Sequence, residues 1–173
     1  MIINIHEYEK LQYIPWYLNE FMKIPDCVIA GGYLRDLVLG KPTNDIDIFH
    51  TTYIDKAEVI KEFGEIEETT IDQLYEGDVI DVVNVKGTGQ FIGKKLQFIE
   101  VSNVFDAVNK FPCNLSKIML TRYGLTLTED FMFGMNFKVL KFYKGCPDKY
   151  KNKICLKFPE FSMMTECNQS KWT

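Results

Sequence analysis

Apolar and polar residues alternate with a period of two in Asp45–Ile48, Val79–Lys86 and Leu96–Val101, and recur at helical spacing in several segments between and after them. Period two marks strands with one buried face, and spacing of three to four marks helices. Cys27–Ala30 is a short apolar run that ends at Gly31 and Gly32, where the backbone can turn tightly and meet a ligand without Cβ interference. Leu34, Leu37 and Val38 share one helical face that Gly40 is placed to stop, and Lys41 to Asn44 make the turn into Asp45-Ile46-Asp47-Ile48. In that strand both aspartates fall on one face and both isoleucines on the other, so one face is core and one is chemistry.

The flanking segments extend this pattern. Residues 1 to 25 read as helical, with Pro15 starting a second helix and Trp16, Phe21 and Met22 packing on the sheet. Asp55 and Glu58 form a capping box for a helix through Phe63, with Ala57, Val59, Ile60 and Phe63 as its apolar contacts. Residues 65 to 78 are acidic and read as a solvated loop with one short helix near Ile71 to Tyr75. The runs 79–86 and 96–101, separated by glycines 87, 89 and 93, predict an antiparallel pair. Asn103 to Lys110 predicts a helix. Thr128 caps another, with Glu129 and Asp130 in its first turn, Lys138, Lys141 and Lys144 toward its end and Gly145 closing it. Pro147 starts a last helix that stops before Pro159, and residues 161–173 lack a period and read as a loose tail.

Two carboxylates at the spacing of Asp45 and Asp47 suit a hard divalent cation such as Mg²⁺, which takes oxygen ligands and also holds substrate phosphates. The Gly31 and Gly32 amides are candidates for contacts to phosphate. Arg35 and Asp36 project from the far side of the helix between the glycines and the aspartates. Arg35 is one of only two arginines against eighteen lysines, and its planar fork is the partner for phosphate or carboxylate that lysine replaces poorly. Asp36 fits a structural role, because a free carboxylate beside phosphates is repulsive.

At 173 residues, with 46% hydrophobic and 25% charged positions, the chain suits one compact domain of about residues 1–160. The thirteen Phe and nine Tyr exceed ordinary use and point to core packing. The net charge of -4 is unevenly spread: residues 138–173 hold eight lysines against Asp148, Glu160 and Glu166, a basic end on an acidic body that suits RNA, a triphosphate or simple solvation. Cys27, Cys113, Cys146, Cys155 and Cys167 are odd in number with no C-x-x-C pair, which argues against a disulfide framework or zinc site and for a reducing cytoplasm. No apolar run reaches membrane-spanning length, no secretory signal is visible, and His6 and His50 read as ordinary polar residues.

The ordered set G-G-x-x-R-D-x-x-x-G followed by D-x-D, residues 31 to 47, resembles the head of the DNA polymerase β nucleotidyltransferase superfamily, in particular the branch of CCA-adding enzymes and poly(A) polymerases. The resemblance spans about residues 25–120. It implies an α/β (α+β), polymerase β-like fold with a mixed sheet and helices packed on one side. It also implies Mg²⁺-dependent transfer of a nucleoside monophosphate from an NTP to an acceptor hydroxyl, with pyrophosphate leaving. Two Mg²⁺ ions would be held by Asp45, Asp47 and a third carboxylate on a neighbouring strand. The family's strand resembles Phe98-Ile99-Glu100-Val101, which favours Glu100, with Asp81 as competitor. Gly31, Gly32, Arg35 and Asp36 are the nucleotide-side candidates.

Asn114 to Ile118 falls where that branch has R-R-D-F-T-I-N, a ribose-contacting segment, but here the paired arginines are absent and Asn114 replaces the aspartate. A turn residue and an exposed strand lysine are the simpler expectations for Asn114 and Lys117. The acceptor implied is an RNA 3′ end of tRNA type, with the segment from 129 to 157, read as basic helices, as the material left to hold it. A protein or small-molecule hydroxyl, or a fold-preserving binding module without chemistry, are the alternatives, since no counterpart of the family's large helical domains follows the head.

Overall fold

The structure, a computed structural model, describes residues 14–67 and 79–169. The expectations for residues 1–13 with His6, for a helix at 71–75 and for residues 170–173 lie outside the described residues. The first element among the described residues is a 3-10 segment, Trp16–Lys23, preceded by Pro15 in an extended conformation, so the proline stands just before the helical turn rather than inside it. Then come β1 (Val28–Ala30), α1 (Gly32–Val38), β2 (Asp45–His50), α2 (Lys56–Phe63), β3 (Gly64–Glu67), β4 (Val79–Gly87) and β5 (Lys95–Val101). They are followed by α3 (Val104–Asn109), β6 (Ile118–Thr121), β7 (Gly124–Leu127), α4 (Glu129–Phe137), β8 (Val139–Tyr143), α5 (Asp148–Lys157) and β9 (Ser162–Cys167).

Seven strands form one mixed, mostly antiparallel sheet in the order β3-β4-β5-β2-β1-β6-β7, and β8 pairs with β9 in parallel as a separate ribbon. The β4–β5 pairing is antiparallel, as the alternation predicts. Within the large sheet, β2 and β5 are the parallel neighbours. Their register, with Asp45 opposite Lys95, Asp47 opposite Gln97 and His50 opposite Glu100, decides which side chains share a face.

Each face carries its own core. Ile29, Ile46, Ile48, Leu96 and Phe98 point into the larger core, which is covered by the 3-10 segment and by α1, α2, α4 and α5. The aromatic excess is concentrated here: Phe21, Phe63, Phe91 and Phe98 meet at centroid distances such as 5.0 Å for Phe21–Phe63 and 5.5 Å for Phe63–Phe98. Burying one such ring stabilises by roughly 1.5–3 kcal/mol. On the opposite face α3, the one helix there among the described residues, packs through Val104 and Val108 over Val28, Ala30, Phe49, Val82, Ile99 and Val101.

That second face changes character along the strands. Phe49, Ile99 and Val82 are buried under α3, whereas Asp45, Asp47, Lys95, Gln97 and Asn84, one or two steps along the same rows, are exposed or half-buried. The helix is six residues long, about 9 Å at 1.5 Å per residue. It covers the apolar half and leaves the polar half open as a floor.

Several elements differ from the sequence reading. Residues 65–67, which the sequence places in a solvated loop, form with Gly64 an edge strand on β4. Trp16 is exposed, while Phe21 is fully buried. Ala57 is exposed, although Val59 and Phe63 of the same helix are buried and Asp55 accepts from the Ala57 amide as its cap. α4 is capped by Thr128, whose Oγ1 accepts from the Phe131 amide at 3.0 Å, but it ends at Phe137 because Lys138 takes a left-handed conformation (φ 55°). The alternating Val139–Tyr143 then runs as β8 rather than as the helix end. The tail is not loose through residue 167, since β9 pairs with β8. Among the described residues no helix is long and apolar enough to cross a membrane.

Candidate active site

The turn after β1 is built on Gly31, at φ 85°, a conformation that only glycine adopts readily. Its amide donates to the Ile118 carbonyl of β6 at 3.2 Å, so this N–H closes the sheet and is not available for the phosphate contact the sequence suggests. A Cβ at Gly31 would lie 3.2 Å from the Phe111 ring and 3.5 Å from Asp47 Oδ2. The double glycine therefore lets the strand-to-helix turn sit directly against the second aspartate. Across the turn, Ala30 pairs with Asp47, and the Phe111 ring lies tilted against Phe49 with 5.6 Å between centroids.

Asp45 is exposed and Asp47 half-buried, and both stand on the open floor of a cleft of about 1100 Å³. Gly31, Gly32 and Phe111 border it, Asn84, Lys95 and Gln97 continue its floor, and Tyr150, Lys153 and Lys157 of α5 also line it. Carboxylates and lysines thus line one space large enough for a nucleotide.

Arg35 and Asp36 are buried beside the cleft and hold each other: Arg35 Nε donates to Asp36 Oδ1 at 2.8 Å. The guanidinium also donates to Ser116 Oγ at 3.0 Å and lies 5.3 Å from the Phe158 ring centroid. Lys157 donates to Asp36 Oδ2 and to the Pro42 carbonyl. Tyr150 and Ser116 hydroxyls lie 3.0 Å apart. The motif helix, the turn before β2 and α5 are therefore bound into one network. Burial works against the Arg35 charge but is outweighed by the Tyr150 hydroxyl and Asp36, so its pKa is raised. Burial lifts the Tyr150 hydroxyl to about 12. Arg35 is thus held by the carboxylate of its neighbour in α1.

The third carboxylate expected from the sequence is not on this face. Glu100 pairs with His50, three residues past the Asp47–Gln97 pair, and an odd shift along a strand reverses the side-chain direction. Asp81, displaced by a register shift in β4, pairs with Glu100 and binds Lys56 Nζ at 3.2 Å. Both acids border a small pocket with His50 on the opposite side of the sheet from Asp45 and Asp47. His50 is itself buried, with Nδ1 2.7 Å from the Thr52 carbonyl oxygen, and burial lowers its pKa against the opposing pull of that contact, Glu100 and Asp81.

In place of an acid, Gln97 stands next to Asp47, and its Nε2 donates to Asn84 Oδ1 at 2.7 Å. Sequence reasoning passed over both amides because only strand register places them here. Among the described residues no group of three or more His, Cys, Asp or Glu converges to hold a metal ion.

The segment 114–118 also departs from expectation. Asn114 is fully buried, accepting from the Lys141 amide at 2.9 Å and donating to the Asp130 and Val139 carbonyls at 3.1 Å each. Lys117 is buried rather than exposed: its ammonium lies 3.5 Å from Asp130 Oδ2, 4.0 Å from the Tyr143 ring centroid and 2.6 Å from Gln169 Oε1. Burial depresses its pKa more than Asp130 restores it. Ser116 is the member of this segment that borders the cleft.

This sheet order, with a glycine turn set against paired aspartates, defines a nucleotidyltransferase-like fold, and comparison with solved structures agrees. The Thermotoga maritima CCA-adding enzyme complexed with tRNA superposes with a TM-score of 0.64 at 14% identity, covering 94% of this chain and 42% of the enzyme. An apo CCA-adding enzyme gives 0.64 at 16% identity over 94% and 43%. The Bacillus stearothermophilus CCA-adding enzyme in complex with CTP gives 0.52 at 16% over 90% and 41%. The chain thus spans about two fifths of the enzymes it resembles. No family model matches the sequence, and no curated protein matches it.

Proposed function

We propose that the chain is a nucleotidyltransferase that binds an NTP in the cleft and transfers the nucleoside monophosphate to a hydroxyl, an RNA 3′ end in the first instance. The acceptor oxygen bonds to the α-phosphorus, the bond from that phosphorus to the departing pyrophosphate breaks, and the hydroxyl proton is lost. The observation that carries this reading is the pair Asp45 and Asp47 on the open floor, with Gly31 against Asp47 and lysines of α5 lining the same cleft. Two adjacent carboxylates fit Mg²⁺, which is commonly bound by one or two carboxylates together with substrate phosphates. When bound, the ion would neutralise phosphate charge and orient the reacting groups. The chain's own part is positional: the Arg35–Asp36–Lys157 network fixes the glycine turn and α5 at the cleft. An RNA acceptor is supported by the tRNA complex of the Thermotoga enzyme and by the basic α5.

The neutral Gln97–Asn84 pair favours a second reading, a module that binds nucleotide without transferring it. Incubating the protein with Mg²⁺, each α-labelled NTP in turn and total RNA, beside an Asp45→Asn, Asp47→Asn control, separates the two. Label on RNA that disappears in the control supports transfer. Label on protein moves the acceptor to a side chain. Nucleotide binding without label or pyrophosphate release selects the binding module.

A further inference from the structure

Two rows of side chains cross the floor. Asp47 stands beside Gln97, which stands beside Asn84, which pairs with Glu67 on the edge strand. Asp45 stands beside Lys95. Neighbouring strands are about 4.7–4.9 Å apart, which puts Gln97 and Lys95 within reach of an ion held by the aspartates and Glu67, three strands from Asp47, roughly 14 Å away. The nearest neighbour on one row is therefore a neutral amide fixed by a 2.7 Å hydrogen bond, and on the other a cation.

We infer that Asp45 and Asp47 hold a single divalent cation, the one that arrives on the nucleotide's phosphates, and that Gln97 keeps a second cation from settling beside it. Two divalent ions in such a site lie about 3.5–4 Å apart and repel strongly. A carboxylate at the Gln97 position would offset that repulsion and supply an anionic oxygen. The amide supplies an oxygen dipole without charge, Asn84 holds it in place, and Lys95 adds a positive charge on the other side. The paired amides remain neutral whichever way each is turned. The inference rests on the nucleotide-binding reading above, but it concerns the number of ions rather than whether transfer occurs.

Mn²⁺ serves as the probe, titrated into the protein saturated with a non-transferable α,β-methylene NTP analogue. Bound Mn²⁺ is counted by electron paramagnetic resonance, and circular dichroism confirms the fold. The expected result is one Mn²⁺ per chain in the wild type, lost in Asp45→Asn, Asp47→Asn, and two per chain in Gln97→Glu with the spin-coupled signal of a close pair. Two ions on the wild type overturn the inference while leaving nucleotidyl transfer standing. That count needs no variant and survives any folding failure of Gln97→Glu. An unchanged count in folded Gln97→Glu removes Gln97 as the determinant. No bound Mn²⁺ on folded wild type overturns the inference and the reading beneath it together.

Discussion

Replacing Asp36 by alanine separates a bracing role from a ligand role. The carboxylate side chain is 5% exposed, as is that of Arg35, whereas Lys157 is 25% exposed. Removing one partner of a buried ion pair costs about 3–5 kcal/mol, because the remaining charge is left without compensation. Lys157 can turn toward water, so its share is reduced and the lower end, about 3 kcal/mol, applies. For a domain of this size each kcal/mol moves the melting temperature by about 2–4 °C, which gives a fall of about 6–12 °C. Asp36→Asn keeps an acceptor for Arg35 Nε and should fall between alanine and wild type. Lys157→Met, which leaves the Arg35–Asp36 pair intact, should cost less than either. Thermal and urea denaturation of the three variants measures the order. Below its transition Asp36→Asn should still bind Mg²⁺-nucleotide, since the carboxylate is engaged by Arg35 and Lys157. An Asp36→Ala protein melting within about 2 °C of wild type would refute the buried network.

Gly134→Ala sets two effects against each other. Alanine improves helix propensity by about 1 kcal/mol, but its Cβ would lie 2.4 Å from Asn114 Nδ2 and 2.6 Å from Leu115 Cδ2. Overpacking of about 1–3 kcal/mol and a weakened buried amide worth about 1–3 kcal/mol should win, and denaturation showing equal or greater stability would contradict that contact. Gly31→Ala should destabilise by about 1–3 kcal/mol from backbone strain and weaken nucleotide binding further, since the new methyl group crowds the Phe111 ring and comes into contact with Asp47; isothermal titration beside a melting curve checks both. His50 has a folded pKa below its ordinary value of 6.5, so the unfolded chain takes up protons more readily. The stability this group contributes is present above about pH 6.5 and is lost as pH falls toward the folded pKa. His50→Asn should flatten that part of a stability-against-pH curve, and an unchanged curve would remove His50 as its source.

The parts of the fold legible in the sequence are those that local chemistry dictates. Thr128 before Glu129-Asp130, the helical spacing after Asn103 and the period of two in β2, β4 and β5 each act within a few residues, and each element starts within a residue or so of where the pattern places it. Elements decided by distant partners were not legible. Gly64–Glu67 is acidic and largely exposed, and becomes a strand because β4 offers an edge. β8 looked like a helix end because its lysines suit one, yet the left-handed Lys138 and the partner strand β9 convert the same residues to strand. Lys117 is buried because Asp130, Tyr143 and Gln169, all remote in sequence, enclose it.

The candidate site divides along the same line. Asp45, Asp47 and Gly31 come together because they sit in one strand-helix-strand unit, where local spacing fixes the faces of the two aspartates. The next neighbour of the aspartates depends on how β5 slides against β2, a degree of freedom no motif in β5 controls. A slip of one residue would send the alternate set of side chains to the cleft. The register is pinned by burial instead: Leu96 and Phe98 must enter the larger core, and Ile99 and Val101 must lie under α3. With those four fixed, Gln97 necessarily faces the cleft and Glu100 necessarily faces His50. The ligand set at the cleft is therefore a consequence of core packing, and a change that kept the motif but moved β5 by one residue would exchange the amide for a different chemistry without touching either aspartate.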